Sequence, residues 1–324
     1  MHSPSDAIGV LVMAYGMASG PEDIERYYTD IRGGRPPSSE HLKELEDRYA
    51  AIGNVFPLLD TTRAQAEGLV ERLNASGGDG PYRAYLGMKH SSPSIPDGVA
   101  AMRADGVARA VGIVMAPHWS GMSVETYVQR ALQAAGDGGP QLSFVRNYSD
   151  HPAFVRFLTG RVEEALGRLA PGEREHAATI FSAHSLPTRE LPDGSTRCKR
   201  CDCADSCRYR DGLLDTADAV ASGLDLPHHT IAWQSAGRTE DPWWGPAIED
   251  VIPQLAAAGH PAVVVCSAGF VADHLEILFD LDIEARAIAE EAGVRFERTW
   301  MPNADSAYLD ALAEVVRDHL AETP

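Results

Sequence analysis

Short β-rich runs alternate with amphipathic stretches along almost the whole chain, and no other feature restricts the fold as much. Strands are expected near Ile8–Ala14, Arg83–Met88, Arg109–Ala116 and Gln141–Arg146, then near Ala177–Ala183, Thr230–Trp233, Ala262–Ser267 and Val294–Trp300. Helical periodicity falls between them, at Ser39–Tyr49, Thr62–Leu73, Ser123–Ala135, Pro152–Leu169, Leu275–Ala292 and Ala304–Leu320. Val- and Ile-rich strands separated by helices belong to parallel sheets covered on both faces. The strands form two groups of four, divided near Tyr148-Ser149-Asp150-His151-Pro152. The fold class is therefore α/β. It comprises two similar Rossmann-like lobes, 1–150 and 151–324, each with a four-stranded parallel sheet flanked by helices, and a cleft between them. The last helix packs back on the N-terminal lobe in this scheme. The stretch Arg189–Arg210 breaks the rhythm with Pro, Gly, Asp and four Cys, and is expected to be an insertion outside the sheets.

Charge narrows the ligand. Lys and Arg total 28 against 47 Asp and Glu, a formal net charge of −19. Such a chain is unsuited to nucleic acid or an anionic membrane surface, and an anionic ligand would need cations gathered locally. No apolar run reaches the ~18 residues of a membrane span, and Met1–Val10 lacks a signal peptide's basic start and long apolar core. A cytoplasmic protein is expected.

Polar residues cluster just after the expected strands: Tyr15, Lys89 and His90, His118, His184, Gln234, and Glu276 a little beyond Phe270. The carboxyl ends of parallel strands form the ligand crevice of such sheets, so these unlike side chains converge on one place. His184, in Phe181-Ser182-Ala183-His184-Ser185-Leu186-Pro187, can ligate a divalent metal or accept a proton. The blander alternative is a hydrogen-bonded histidine at a strand end. Glu276, Asp280 and Glu284 recur every four residues, which stacks them on one helix face, better still on a slightly unwound turn. Three such acids repel one another unless a cation sits among them. They can relay a hydrated divalent ion or carry protons away; an ordinary solvated acidic face is the other reading.

The insertion holds Cys198-x2-Cys201-x-Cys203-x3-Cys207, four thiols in ten residues, flanked by Arg197, Lys199, Arg200, Arg208 and Arg210. Positive charge suits an anionic tetrathiolate centre, and an iron–sulfur cluster or zinc both fit the spacing. A fortuitous group of thiols is the alternative. Arg32 and Arg35, on the Gly- and Pro-rich turn after Tyr27-Tyr28-Thr29-Asp30-Ile31, could hold carboxylates together with Arg48 and Lys89, though surface arginines on a loop are the plainer reading until a ligand is specified.

Taken in order, these residues resemble the ferrochelatases over nearly the whole chain. The matching stretches are Val12-Met13-Ala14-Tyr15-Gly16, Tyr27 to Arg32, Arg48-Tyr49-Ala50-Ala51-Ile52-Gly53, Gly87-Met88-Lys89-His90, Ala116-Pro117-His118, Phe181 to Pro187, Trp233-Gln234-Ser235-Ala236-Gly237 and the Glu276 helix. The resemblance implies insertion of Fe2+ into a porphyrin. His184 and Glu276 are then the inner metal-handling pair, Asp280 and Glu284 the outer ladder, and Tyr15 faces the opposite side of the macrocycle. Porphyrin contacts are expected from Tyr15, Ile31, Arg32, Arg48, Lys89, Tyr127 and Trp243, with Trp119 and Phe270 as further wall residues. The compact length is similar to the coproporphyrin III branch, whose product, Fe-coproporphyrin III, passes to a separate decarboxylase, a transient partner. The four-Cys insertion is similar to that of members carrying a [2Fe-2S] cluster. A monomer is expected. Protoporphyrin IX or sirohydrochlorin as substrate, and a non-catalytic haem or redox sensor, stay open as alternatives. The chain departs from the family where Gly-Ile-Ser-Pro is replaced by Asn54-Val55-Phe56-Pro57 and where Thr-Pro is replaced by Met17-Ala18.

Overall fold

The computed structural model describes residues 7–77, 80–199, 208–237 and 239–323. The first sheet contains β1 (Ile8–Ala14), β2 (Tyr82–Met88), β3 (Arg109–Val114) and β4 (Gln141–Val145), in the order β2-β1-β3-β4 and all parallel. The second contains β5 (Ala178–His184), β8 (His229–Gln234), β9 (Ala262–Cys266) and β10 (Arg295–Arg298). Its order, β10-β9-β5-β8, is again all parallel and repeats the first when β5 is matched to β1. In each sheet the chain reverses direction of travel beside the first strand, which opens a crevice at its carboxyl end. β1 delivers Tyr15 to one crevice and β5 delivers His184 to the other. Between β5 and β8, β6 (Thr188–Glu190) and β7 (Thr196–Cys198) pair as an antiparallel hairpin apart from both sheets, within the stretch expected to be inserted.

Helices cover both sheets: α1 (Ile24–Ile31), α2 (Ser39–Ala51), α3 (Leu58–Ala75), α4 (Ile95–Ala104), α5 (Val124–Ala135), α6 (Pro152–Gly167), α7 (Pro171–Arg174), α8 (Tyr209–Leu224), α9 (Ile248–Ala257), α10 (Leu275–Leu278), α11 (Arg286–Glu291) and α12 (Ser306–Glu322). The last of these lies against α3 and β4 of the first half and against α6 of the second. Its Tyr308, Leu312 and Val316 join Val10, Ile113, Phe181 and Val264 in one apolar core that runs through both sheets. No described helix is long and apolar enough to cross a membrane. The single helix expected over Leu275–Ala292 is instead interrupted by a π-helical turn, Asp280–Ala285. There the amide of Glu284 donates to the carbonyl of Phe279, five residues back, at 3.0 Å. The wider turn holds four-residue neighbours in line, as the acidic spacing requires.

The helix α4 lies so close to β2 that only a glycine fits at the contact. A Cβ on Gly98 would stand 2.3 Å from the carbonyl oxygen of Leu86, whereas one on Gly160 in α6 would meet nothing within 4 Å. Gly98→Ala is expected to destabilise the fold by about 1–3 kcal/mol through overpacking. Gly160→Ala is expected to stabilise it by about 0.5–1 kcal/mol through helix propensity alone. Urea denaturation of the two variants checks the opposite signs.

Candidate active site

His184 ends β5 at the point where Pro187 stops the strand from continuing, and Glu276 opens α10 from the neighbouring crossover. The two meet with His184 Nε2 3.6 Å from Glu276 Oε1, both side chains half-buried. His184 Nδ1 faces the carbonyl of Ser185, so in the neutral tautomer Nδ1 carries the hydrogen and the Nε2 lone pair points to Glu276. Burial works against a charged imidazole, but the facing Glu276 carboxylate outweighs it and raises the proton affinity of His184. Burial likewise opposes ionisation of Glu276, yet His184, with His274 and Arg48, holds its carboxyl well below the usual range. Each partner thus favours the charged form of the other.

One turn further along, Asp280 is almost wholly buried. It is held by Arg48 from α2 and by the hydroxyl of Ser235. Burial pushes its carboxyl up to about 7, Arg48 and Ser235 pull against that shift, and Glu276 adds to it. Glu284 reaches the exposed end of the row. The acidic ladder is therefore graded, from an ionised inner member, through one poised near neutrality, to solvent. Among the described residues no three His, Cys, Asp or Glu side chains gather as a ready-made metal cage. A cation handled by His184 and Glu276 would need its remaining ligands from elsewhere, such as the substrate or water.

The opposite wall comes from the first sheet. Tyr15 is 40% exposed, with the ring of His90 4.6 Å away and Lys89 Nζ 5.6 Å from its centroid. Lys89 Nζ also stands 5.0 Å from the ring of buried Tyr127. Burial, and then Arg130, lower the Lys89 ammonium to about 8. Burial raises the Tyr15 phenol, and Glu276 is the largest charge acting on it, so the two walls sense each other across the cleft. His90 is anchored by Asp30 at 2.6 Å. Ile31 belongs to a small cluster with Tyr49, Leu58 and Leu275 that joins α1 and α2 to the Glu276 segment. Arg48 lies over the Phe279 ring at 4.6 Å, and its Nε is buried with no hydrogen-bond partner among the described residues.

Trp243 and Phe270 flank His184, with ring centroids 6.5 and 6.3 Å from the imidazole. Two further expected contacts have protein partners of their own. Arg32 hydrogen-bonds the carbonyl of Arg35 at 3.3 Å and leans on Tyr28, while Trp119 donates to Glu125 at 3.4 Å. Phe56, at the serine position of the resemblance, stacks on Tyr49 at 4.9 Å. Two residues given no role from the sequence complete the site. His274 packs edge-on to Phe270 at 4.6 Å with Nδ1 buried and unpartnered, and burial lowers its proton affinity. Its position two residues before Glu276 was the available signal. Ser235 was hidden because its role depends on a backbone φ of 60°. Of the four clustered cysteines, Cys198 is buried at the end of β7 and accepts the indole N–H of Trp244 at 3.4 Å. Cys201, Cys203 and Cys207 lie outside the described residues.

Residues 7–320 match a family model described as Ferrochelatase. The chain is 44% identical over 315 residues to the coproporphyrin III ferrochelatase of Anoxybacillus flavithermus, spanning 97% of this chain and 96% of that protein. It is 42% identical over 311 residues to the coproporphyrin III ferrochelatase of Bacillus subtilis, spanning 95% and 96%. Among solved structures, SirB from Bacillus subtilis with Fe3+ aligns at a TM-score of 0.60 and 10% identity, covering 97% of this chain and 96% of that one, a likeness of fold.

The burial of Asp280 gives a pH dependence of known sign. Its carboxyl rises from an ordinary 3.8 to about 7 on folding, so its contribution to stability is complete below about pH 4 and is lost as pH rises through about 7. Asp280→Asn, which cannot ionise, is expected to gain on the wild type over that interval, by up to about 4 kcal/mol. Urea midpoints of the two proteins at pH 5 and pH 8 check this; a difference independent of pH contradicts it.

Proposed function

This chain belongs to the ferrochelatase family, and on that premise we propose that it inserts Fe2+ into coproporphyrin III, giving Fe-coproporphyrin III and two protons. It is a metal chelatase. The observation that carries the reading is the pairing of His184 Nε2 with Glu276 Oε1 at 3.6 Å, facing Tyr15 across a cleft with cations at its rim. An imidazole and a carboxylate held half out of water can take the place of water around Fe2+ or accept pyrrole protons. A metal ion held by the pair competes with protons for the same Nε2 and Oε1. Glu276 is acidic and Asp280 is poised near 7, so a proton reaching Glu276 passes downhill to Asp280, beyond which the row opens to solvent at exposed Glu284. This ladder is read as a proton route, with a hydrated Mg2+ at its outer end as the further role of Asp280 and Glu284. Trp243 and Phe270 give the apolar wall against which binding energy can bend the macrocycle.

The substrate assignment rests on the printed names of relatives at 42–44% identity and on the rim cations. Coproporphyrin III carries four propionates. Lys89 at the Tyr15 wall and Arg32 are the donors suited to them, with Tyr127 beside Lys89 and with Arg48 and Ile31 as further contacts in this reading. A later decarboxylation of the product by a separate enzyme, a monomeric state and a cytoplasmic location complete the reading. Cys198, Cys201, Cys203 and Cys207 are read as holding a [2Fe-2S] cluster. Support comes from their spacing and from the indole N–H aimed at Cys198 Sγ, which favours thiolate over thiol.

His184→Ala is expected to lower Fe2+ insertion at least ~100-fold while coproporphyrin III still quenches protein fluorescence with near wild-type affinity. Side-by-side turnover of coproporphyrin III and protoporphyrin IX is expected to favour the former; preference for the latter reassigns the substrate. Tight porphyrin binding without turnover in the wild type would instead favour the sensor reading. Freshly purified protein is expected to show visible iron–sulfur absorption that Cys198→Ser abolishes. A colourless, zinc-loaded protein would replace the cluster by a zinc site.

A further inference from the structure

Gln234, the last residue of β8, uses both ends of its side chain to join the segments that carry the metal pair. Its Oε1 accepts from Ser182 Oγ at 2.8 Å and from Ser267 Oγ at 3.2 Å. Its Nε2 donates to the main-chain carbonyl of Glu276 at 3.0 Å. Its own main-chain carbonyl accepts the amide of Ser185 at 2.8 Å. Ser182 and Ser185 stand on either side of His184, Ser267 follows β9, and Glu276 lies in α10. The carboxamide is 1% exposed, so water does not compete for these bonds.

We propose that Gln234 is a positioning residue that sets the gap between His184 and Glu276, and that this gap governs which divalent ion the pair handles. The inference rests on the chelatase reading above and deepens it. A carboxamide is the side chain that suits the place, because two hydroxyl donors must be accepted at one end and a carbonyl satisfied at the other. A carboxylate would set a second anion against the Glu276 carbonyl, and an aliphatic chain would leave one carbonyl and two hydroxyls unpaired. The next residue extends the grip. Ser235 sits at φ 60°, a left-handed conformation that costs a non-glycine residue energy, and from it the hydroxyl reaches Asp280. Consecutive residues therefore hold the main chain of Glu276 and the side chain of Asp280. Gln234 itself touches neither reacting atom.

The test compares Gln234→Leu with the wild type for insertion of Fe2+ and of Zn2+ into coproporphyrin III, and for porphyrin affinity by fluorescence quenching. Porphyrin affinity is expected to stay within about twofold, Fe2+ insertion to fall roughly 10- to 100-fold, and the Fe2+ to Zn2+ rate ratio to change at least about threefold. That ratio is measured within one sample and does not depend on the folded fraction. An unchanged ratio, with both rates falling in parallel, overturns the proposal. Should Gln234→Leu fail to fold, Ser182→Ala/Ser267→Ala removes only the donors to Oε1 and is judged by the same ratio. Where the wild type works only on protoporphyrin IX, the substrate assignment fails and the ratio is taken on that porphyrin. A wild type that metallates no porphyrin removes the chelatase reading and this inference with it.

Discussion

A parallel sheet closed between two layers of helices has room for a charged side chain on its central strands only where those strands end, because along their length the neighbours are apolar or at most small hydroxyls. The arrangement of this protein follows from that constraint. β1 is buried along its whole length and releases a half-exposed Tyr15 just beyond it. β5 is buried up to Ala183 and releases His184. The same strand order in both halves brings these two ends to facing positions. The chemistry lies in the gap because the interior of either sheet cannot accept it.

Electrostatics then differentiates residues of one kind. Glu276 and Asp280 are both carboxylates of one irregular helix and both are removed from water, yet they move in opposite directions. Glu276 faces an imidazole and keeps its charge; Asp280 has less compensation for its burial, even with Arg48 against it, and moves toward neutrality. In a chain of net charge −19 this contrast is produced by single contacts, not by the overall field.

The strands were legible in the sequence because a strand covered on both faces is an uninterrupted apolar run, and all eight main-sheet strands fall within a few residues of the expected positions. His184 was legible because a polar residue directly after such a run stands out, and Glu276 because it heads a row of acids at four-residue spacing. The π-helical turn was visible only as a spacing of acids. The hold of Arg48 on Asp280 and the bonds of Gln234 were not legible, since each joins residues far apart in the chain and neither changes the local pattern. The left-handed backbone of Ser235 and the buried Nδ1 of His274, without a hydrogen-bond partner among the described residues, are likewise products of tertiary packing.

The apolar core that passes from Val10 through Phe181 to Val264, locked at one end by α12, has a mechanical consequence. The two halves share one interior, so they cannot hinge or slide past each other without shearing close-packed side chains. Widening of the gap is therefore confined to its outer lips, where α1, α2 and α10 meet through the separate cluster around Tyr49 and Leu275. The jaws are rigid at the root, and compliance belongs to the lips alone.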